Sequence, residues 1–283
     1  MKRLDAAMLM IMILVPFSVL AQEVVIGDRP QRGPEYFVPD PENIQIEVWS
    51  QDLKAPWSLV FLPDGRALVS ERQGTIRLLS QNGDYDEAPL LNMDVAEDDE
   101  SGLMGLALDP NFPKAPFVYA MRTFRQGKTW NNEVLRLLFD GHNLSLDKKL
   151  IANIPAGNNH NGGRIGFGPD GMLYVGTGDI FERRLAQDLK SLAGKILRLT
   201  PEGFVPSDNP FPRSYVWSWG HRNVQGLAWD PDTGALYNTE HGPSGEVGFG
   251  AFDEVNVVVK GGNFGWPRVV GAAGEAGLVD PIV

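Results

Sequence analysis

The sequence predicts an all-β chain built as a β-propeller, because one pattern of strand, turn and strand recurs four times. The four copies read SLVFLPDGRALVSE, MGLALDPNFPKAPFVYAMRT, RIGFGPDGMLYVGTGD and QGLAWDPDTGALYNTE. Their turn prolines, which lie 47, 59 and 62 residues apart, are Pro63, Pro110, Pro169 and Pro231. Short strands at such intervals, joined by hairpin turns at fixed places, are typical of propeller blades with loop insertions.

Each copy is a predicted hairpin that is followed by a further strand. Alternating apolar residues flank turns made of proline with aspartate or asparagine, which are residues that favour hairpin turns. The strands after the hairpins read TIRLLS, EVLRLLFD, GKILRLT and DEVNVVVK. No segment after the first 21 residues has a convincing helical period, although residues 185–192 could form a turn or two. A β-sandwich also has many strands, but it does not repeat one hairpin four times.

The first residues have the composition of a secretory signal peptide. Lys2 and Arg3 precede an apolar core, and this core is followed by Pro16 and small residues. The apolar run is short for a membrane span, and no later segment is apolar for long enough to cross a bilayer. We therefore expect residues 1–21 to be cleaved and the protein to be periplasmic or secreted, with no membrane span.

Charge and cysteine content narrow the possible partners. The net charge of −11 argues against nucleic acid or an anionic membrane surface and is compatible with neutral sugars or divalent cations. The chain has no cysteine, so its stability must come from the core and from bound ligands. We assign residues 22–48 to an N-terminal extension with a first strand and residues 49–283 to the propeller.

The most informative segment, NNHNGGRIGFGPDGMLYVGTGD, places a histidine in a glycine-rich loop ahead of a hairpin. Gly162 and Gly163 let the backbone turn sharply, and Asp179 ends the second strand, so we expect His160 and Asp179 at the same end of one sheet. Such a pair is a candidate general base, because the carboxylate orients the imidazole and stabilises its charged form. On this segment alone, a loop histidine beside a turn-capping acid is the alternative.

Seven stretches follow one another between about residues 55 and 267. They read APWSLVFLPDG, SGLMGLALDPNF, NHNGGRIGFGPDGMLYVGTGD, AGKILRLTPEG, SWGHRNVQGLAWDP, TEHGP and DEVNVVVKGGNFGWP. In this order they resemble the soluble glucose/sorbosone dehydrogenase family, which includes aldose sugar dehydrogenases that depend on pyrroloquinoline quinone (PQQ). The family fold is a six-bladed β-propeller with PQQ and Ca²⁺ at the mouth of the central channel. The resemblance therefore implies this fold, with about four blades evident in this chain.

The resemblance also implies catalytic roles. His160 matches the base that takes the proton of the sugar C1 hydroxyl while hydride passes to the quinone. Asp179 matches the carboxylate that orients this histidine. Arg222 and Asn223, in GHRN, match residues that contact the cofactor, and the fixed positive charge of the arginine suits the charge that grows on the quinone oxygen.

Two further cofactor contacts are implied with departures from the family pattern. Glu100 stands where the glucose-oxidising members have a glutamine, and Asn159 replaces an aspartate next to the base. These changes affect the expected sugar specificity more than the fold. Trp217, Trp219 and Trp266 are expected in the core or on the channel wall, and any of them could stack on a flat cofactor or sugar.

The loop TEHGP matches the calcium loop of the family. The resemblance implies that the backbone carbonyls of Gly242 and Pro243 are calcium ligands and that Asp253 lies close by. Calcium prefers oxygen ligands, including backbone carbonyls, and would act as a Lewis acid on the quinone.

The repeat accounts for four blades by Lys260, and the chain reaches Val283 without another hairpin. Propellers close by pairing the last blade with the first, so we expect blades to be absent. The family supplies further basic residues to the cofactor from its last blades. We therefore expect the chain as given to bind PQQ weakly or not at all, and the complete gene product to be an enzyme.

The predicted function is oxidation of aldose sugars at C1 to the lactone, dependent on PQQ and calcium, with electrons passed to an external acceptor. No GxGxxG fingerprint follows a first strand, so NAD is not expected. One alternative is a metal-dependent propeller hydrolase of the lactonase type, which needs side-chain ligands that converge on the channel. Another is a propeller that binds a ligand without catalysis.

Overall fold

The computed structural model describes residues 25–26, 47–245 and 252–283. The predicted signal peptide and most of the predicted N-terminal extension lie outside these residues. A short strand β1 (Val25–Ile26) pairs in parallel with the last strand, β17 (Val269–Val270). Between them, the described chain forms four sheets in which consecutive strands are antiparallel neighbours.

The four sheets follow one another along the chain, and their strands have the following bounds. The first sheet contains β2 (Pro56–Phe61), β3 (Ala67–Glu71), β4 (Thr75–Leu79) and β5 (Leu91–Asn92). The second contains β6 (Leu103–Leu108), β7 (Phe117–Gln126), β8 (Thr129–Phe139) and β9 (Leu144–Pro155). The third contains β10 (Ile165–Phe167), β11 (Leu173–Gly176), β12 (Lys195–Leu199) and β13 (Val216–Trp219). The fourth contains β14 (Val224–Trp229), β15 (Leu236–Glu240) and β16 (Glu254–Val257).

This arrangement confirms the predicted all-β propeller with four blades. Strand β6 packs against β2 on one side and β10 on the other, and β10 packs against β14. The first strands of neighbouring sheets therefore lie side by side, as the innermost strands of propeller blades do. Among the described residues, no helix is long and apolar enough to cross a membrane.

The hairpin turns form where the repeated prolines and acids predict them. In the third sheet, the Asp170 carboxylate accepts a hydrogen bond from the backbone N–H of Met172 at 3.1 Å. Gly171 has a φ of +72°, a left-handed conformation that glycine adopts at little cost. The backbone N–H of Gly168 closes the turn by donating to the Met172 carbonyl at 2.9 Å.

The apolar core lies mainly between neighbouring sheets. One cluster joins the second and third sheets and includes the fully buried Met121 and Leu197. A second cluster joins the first and second sheets through Leu68 and Leu135. Apolar contact on both sides holds each inner blade in place, so the loops at the ends of its strands are carried on a rigid support.

The fold differs from the predictions made from the sequence at three places. The sequence did not predict the fourth strand of the first three sheets. Strand β9 shows the reason, because its five consecutive residues from Ser145 to Lys149 are exposed. Such a strand lacks the alternation of apolar and polar residues that identifies a half-buried strand in a sequence. The possible helical turn at residues 185–192 is a 3₁₀ helix at Arg183–Gln187. In addition, Ile282 and Val283 exchange backbone hydrogen bonds with Val255 at the edge of the fourth sheet.

Candidate active site

The predicted histidine and aspartate form a buried pair. The His160 Nδ1 lies 2.7 Å from Asp179 Oδ1, and His160 and Asp179 are 5% and 0% exposed. Among the described residues, no hydrogen bond involves the other ring nitrogen, Nε2. The carboxylate thus fixes the ring through one nitrogen and leaves the other available to a ligand.

The glycine-rich loop reaches this position through tight backbone contacts. His160 has a φ of +53°, and Gly162 and Gly163 also have left-handed backbones. A Cβ atom built on Gly178 would overlap the carbonyl oxygen of His160. The loop can therefore lie across the end of strand β11 only because position 178 has no side chain.

Two polar side chains from neighbouring sheets hold the same loop. The Glu100 Oε2 accepts a hydrogen bond from the backbone N–H of His160 at 2.9 Å. The Asn223 Oδ1 accepts one from the N–H of Gly162 at 3.0 Å, and its Nδ2 lies 3.4 Å from Glu100 Oε2. Glu100 and Asn223 thus clamp the backbone that carries the histidine.

Arg222 lies beside this pair with its side chain almost fully buried. Its backbone carbonyl accepts from the N–H of Asp179 at 2.8 Å, and its Nη1 donates to the carbonyl of His241 at 2.9 Å. The guanidinium carbon lies 5.5 Å from the centre of the Trp266 ring. Arg222 therefore sets a permanent positive charge between the histidine pair and the loop that follows β15.

That loop contains the predicted calcium ligands. Gly242 and Pro243 are buried, and the N–H of Gly242 donates to Asp253 Oδ1 at 3.0 Å. Within the described ranges, no N–H donates to the carbonyl oxygen of Gly242 or Pro243. The same ranges contain no cluster of three histidine, cysteine or acidic side chains that could hold a metal.

The sequence-predicted site residues fall into three groups. His160, Asp179, Arg222, Asn223 and Glu100 are brought together, as described above. Gly242, Pro243 and Asp253 lie at the adjoining loop, where Gly242 and Pro243 line a small recess that Arg222 also lines. Asn159 is different, because its amide donates to Asp99 at 2.8 Å, at the exposed edge of the site.

The sequence did not predict the contacts that Trp266, Glu240 and His221 make at this site. The indole Nε1 of Trp266 donates to Asp179 Oδ2 at 2.7 Å. Glu240 accepts from the backbone N–H of Arg222 at 3.1 Å, and the buried His221 ring lies between Ser218 and Glu240. Trp266 belongs to the motif GNFGWP, but no rule on residue spacing predicts that its indole, 87 residues along the chain from Asp179, binds that carboxylate.

A family model described as Glucose / Sorbosone dehydrogenase matches residues 53–277. The chain belongs to the glucose/sorbosone dehydrogenase family. Among the curated relatives, it is 34% identical over 253 residues to aldose sugar dehydrogenase YliI of Escherichia coli, covering 85% of this chain and 66% of the relative. It is 30% identical to quinoprotein glucose dehydrogenase B of Acinetobacter calcoaceticus, covering 89% of this chain and 58% of the relative.

Solved structures of the family have the same fold. A putative oxidoreductase (glucose dehydrogenase) of Thermus thermophilus superposes with a TM-score of 0.78 at 53% identity, covering 82% of this chain and 70% of that one. The PQQ-bound aldose sugar dehydrogenase of Streptomyces coelicolor gives a TM-score of 0.76 at 41% identity, covering 84% and 70%. The chain spans less than two thirds of the length of the curated family members named above.

Proposed function

We propose that this family member is a quinoprotein aldose dehydrogenase, which oxidises the C1 hydroxyl of an aldose to the lactone with PQQ and calcium. The observation that carries the proposal is the buried pair of His160 and Asp179, whose ring nitrogen Nε2 has no partner among the described residues. A histidine held by a carboxylate on one nitrogen, with the other nitrogen available, suits a general base. Family membership and the PQQ-bound relative support the cofactor.

The chain's own residues account for the proton in this reaction. The Nε2 of His160 accepts the proton of the C1 hydroxyl as hydride leaves C1, and the C1–O bond becomes the carbonyl of the lactone. Asp179 stabilises the imidazolium that forms and keeps the ring in place. Bound PQQ would supply the hydride acceptor, which no side chain provides, and bound calcium a Lewis acid.

The residues present fit both groups. Arg222 offers a permanent positive charge for an anionic cofactor, and the available carbonyls of Gly242 and Pro243 are oxygen ligands of the kind that calcium accepts. Asp253 would balance the charge of the ion from the same loop. Glu100, Asn159 and Asn223 would contact the cofactor from the histidine side, and the hydrogen bonds of Glu100 and Asn223 to the His160 loop support this arrangement.

Substitution of the histidine tests the proposal. Because the sequence predicts weak binding of PQQ, the cofactor is supplied in large excess. Purified protein with this PQQ and Ca²⁺ should then reduce a redox dye in the presence of an aldose from a panel of sugars. His160→Ala should lower this rate by about 10²–10⁴-fold, which is the usual contribution of a general base. His142→Ala is the matched control, because His142 lies in an exposed turn. A His160→Ala variant that keeps the wild-type rate would exclude this base.

We also propose that residues 1–21 direct export and that electrons leave the sugar for an external acceptor. The composition of the N-terminus supports a periplasmic or secreted location. The redox dye takes the place of the natural acceptor in the assay.

A further inference from the structure

The carboxylate of Asp179 has a second strong hydrogen bond besides the one to the histidine. Its Oδ1 binds His160 Nδ1 at 2.7 Å and the backbone N–H of Phe181 at 3.0 Å. Its Oδ2 accepts from the Trp266 indole N–H at 2.7 Å. In the described part of the chain, this indole is the one donor to Oδ2. The carboxylate therefore cannot rotate without losing a buried hydrogen bond, which is costly for an ionised group.

The tryptophan is itself fixed from several directions. Its carbonyl accepts from Gln187 Nε2 at 2.7 Å, and its backbone N–H donates to the Gly220 carbonyl at 3.0 Å. The guanidinium carbons of Arg222 and Arg183 lie 5.5 and 5.6 Å from its ring centre. Trp266 is only 4% exposed. Its burial and these contacts hold the indole in one orientation, with the N–H directed at Asp179.

An indole is suited to this place because it donates without carrying charge. A lysine or arginine at Oδ2 would form an ion pair with Asp179 and compete with the imidazolium for it. The neutral indole meets the hydrogen-bonding need of Asp179 Oδ2, so the full negative charge of the carboxylate remains to act on His160. A fixed carboxylate also keeps the neutral imidazole protonated on Nδ1, so that Nε2 is the acceptor.

We propose that Trp266 is a positioning residue for the base, a role that rests on the proposed sugar oxidation. It acts through Asp179: its N–H holds the carboxylate in the orientation that keeps His160 in the reactive tautomer. Trp266 does not need to touch the sugar for this role.

Trp266→Phe keeps an aromatic ring and deletes the N–H. We expect kcat for aldose oxidation to fall about tenfold with little change in KM for the sugar, because proton transfer is impaired and sugar binding is not. Trp49→Phe is the matched control, since the Trp49 indole donates to the Gln81 carbonyl at 3.0 Å and not to Asp179. This variant should keep the wild-type kcat.

A double-mutant cycle distinguishes positioning from a general structural role. In an Asp179→Ala background, Trp266→Phe should have no further effect on kcat, because the group through which it acts is gone. An equal loss in both backgrounds would overturn the proposal. If Trp266→Phe does not fold, 3-benzothienylalanine at position 266 replaces the indole N–H with sulfur at nearly unchanged size, and the same results are expected.

A measurement without sugar or cofactor separates this inference from the proposed function. The ¹⁵N shifts of the His160 ring report its tautomer, and we expect the Nδ1–H form in the wild type and a larger Nε2–H fraction in Trp266→Phe. An unchanged tautomer ratio would overturn the role of Trp266 even if the enzyme oxidises aldoses. A wild type that oxidises no aldose would overturn the proposed function, while the tautomer result would still decide the role of Trp266.

Discussion

At the scale of single residues, the proposed chemistry depends on which nitrogen atoms of His160 already take part in hydrogen bonds. Asp179 binds Nδ1 of His160, and Glu100 binds its backbone N–H, so both contacts orient the ring without using Nε2. The sequence predicted the pair because a loop histidine and a strand-end acid flank one hairpin. It could not predict the Trp266 contact, because that contact depends on how the chain after the fourth sheet packs against the third.

Gly178 gives a test at this scale. Gly178→Ala should displace the His160 loop, since the new Cβ would overlap the His160 carbonyl and lie 2.9 Å from Asn223 Oδ1. We expect the free energy of unfolding to fall by about 1–3 kcal/mol, as for other overpacked sites, and the aldose oxidation rate to fall with it. Urea unfolding and the dye assay measure these two effects.

Gly157→Ala is the control for this substitution. The atom nearest to a Cβ at Gly157 is 3.6 Å away, an ordinary van der Waals contact in the same loop. We expect this variant to keep wild-type stability and activity. A Gly178→Ala variant that is as stable and active as Gly157→Ala would contradict the close backbone contact.

At the scale of elements, the 3₁₀ helix at Arg183–Gln187 links the core to the site. The side-chain nitrogen of Lys195 lies within hydrogen-bonding distance of the carbonyl oxygens of Leu185, Ala186 and Ala193, at 2.7, 3.0 and 2.7 Å. The same helix carries Gln187, which binds the carbonyl of Trp266. A buried lysine thus anchors the segment that holds the indole near Asp179.

The pH dependence of stability tests this anchor. Burial lowers the pKa of Lys195 to about 7, from an ordinary value of 10.5, against the opposing attraction of Asp188. Between these two pKa values the unfolded chain binds the proton and the folded chain does not, so raising the pH stabilises the fold. Relative to Lys195→Met, the free energy of unfolding of the wild type should rise between pH 8 and 9 by up to about 1.4 kcal/mol.

Urea unfolding of both proteins at the two pH values measures this difference. Methionine has a similar length and no charge, so other titrating groups contribute equally to both proteins. A difference in stability between the two proteins that stays constant with pH would show that folding does not lower the pKa of Lys195.

At the scale of the whole molecule, the repeat made the fold predictable. Four hairpins with shared turn chemistry determine four sheets, and apolar side chains between sheets, such as Met121 and Leu197, place them side by side. The outer strands were harder to predict, because an exposed strand such as β9 has little apolar alternation. Within the candidate site, the sequence predicted the residues that the family motifs contain, which are His160, Arg222 and the loop of Gly242 and Pro243.

The proposed export concerns the chain as a whole. If residues 1–21 form a cleaved signal peptide, the exported protein should begin at Gln22, because the small residues before it suit signal peptidase. N-terminal sequencing of protein recovered from the periplasm or medium measures this. Recovery of the protein only from the cytoplasm, with Met1 retained, would contradict export.

The central claim is that His160 accepts the sugar proton, and chemical rescue tests it most directly. The measurement is the rate of aldose-dependent dye reduction by His160→Ala, with PQQ and Ca²⁺ in excess, as free imidazole is added. We predict a very low rate without imidazole and a saturable increase with it, because imidazole can occupy the space left by the side chain and accept the proton. A variant that oxidises the aldose at the wild-type rate without imidazole would contradict the claim.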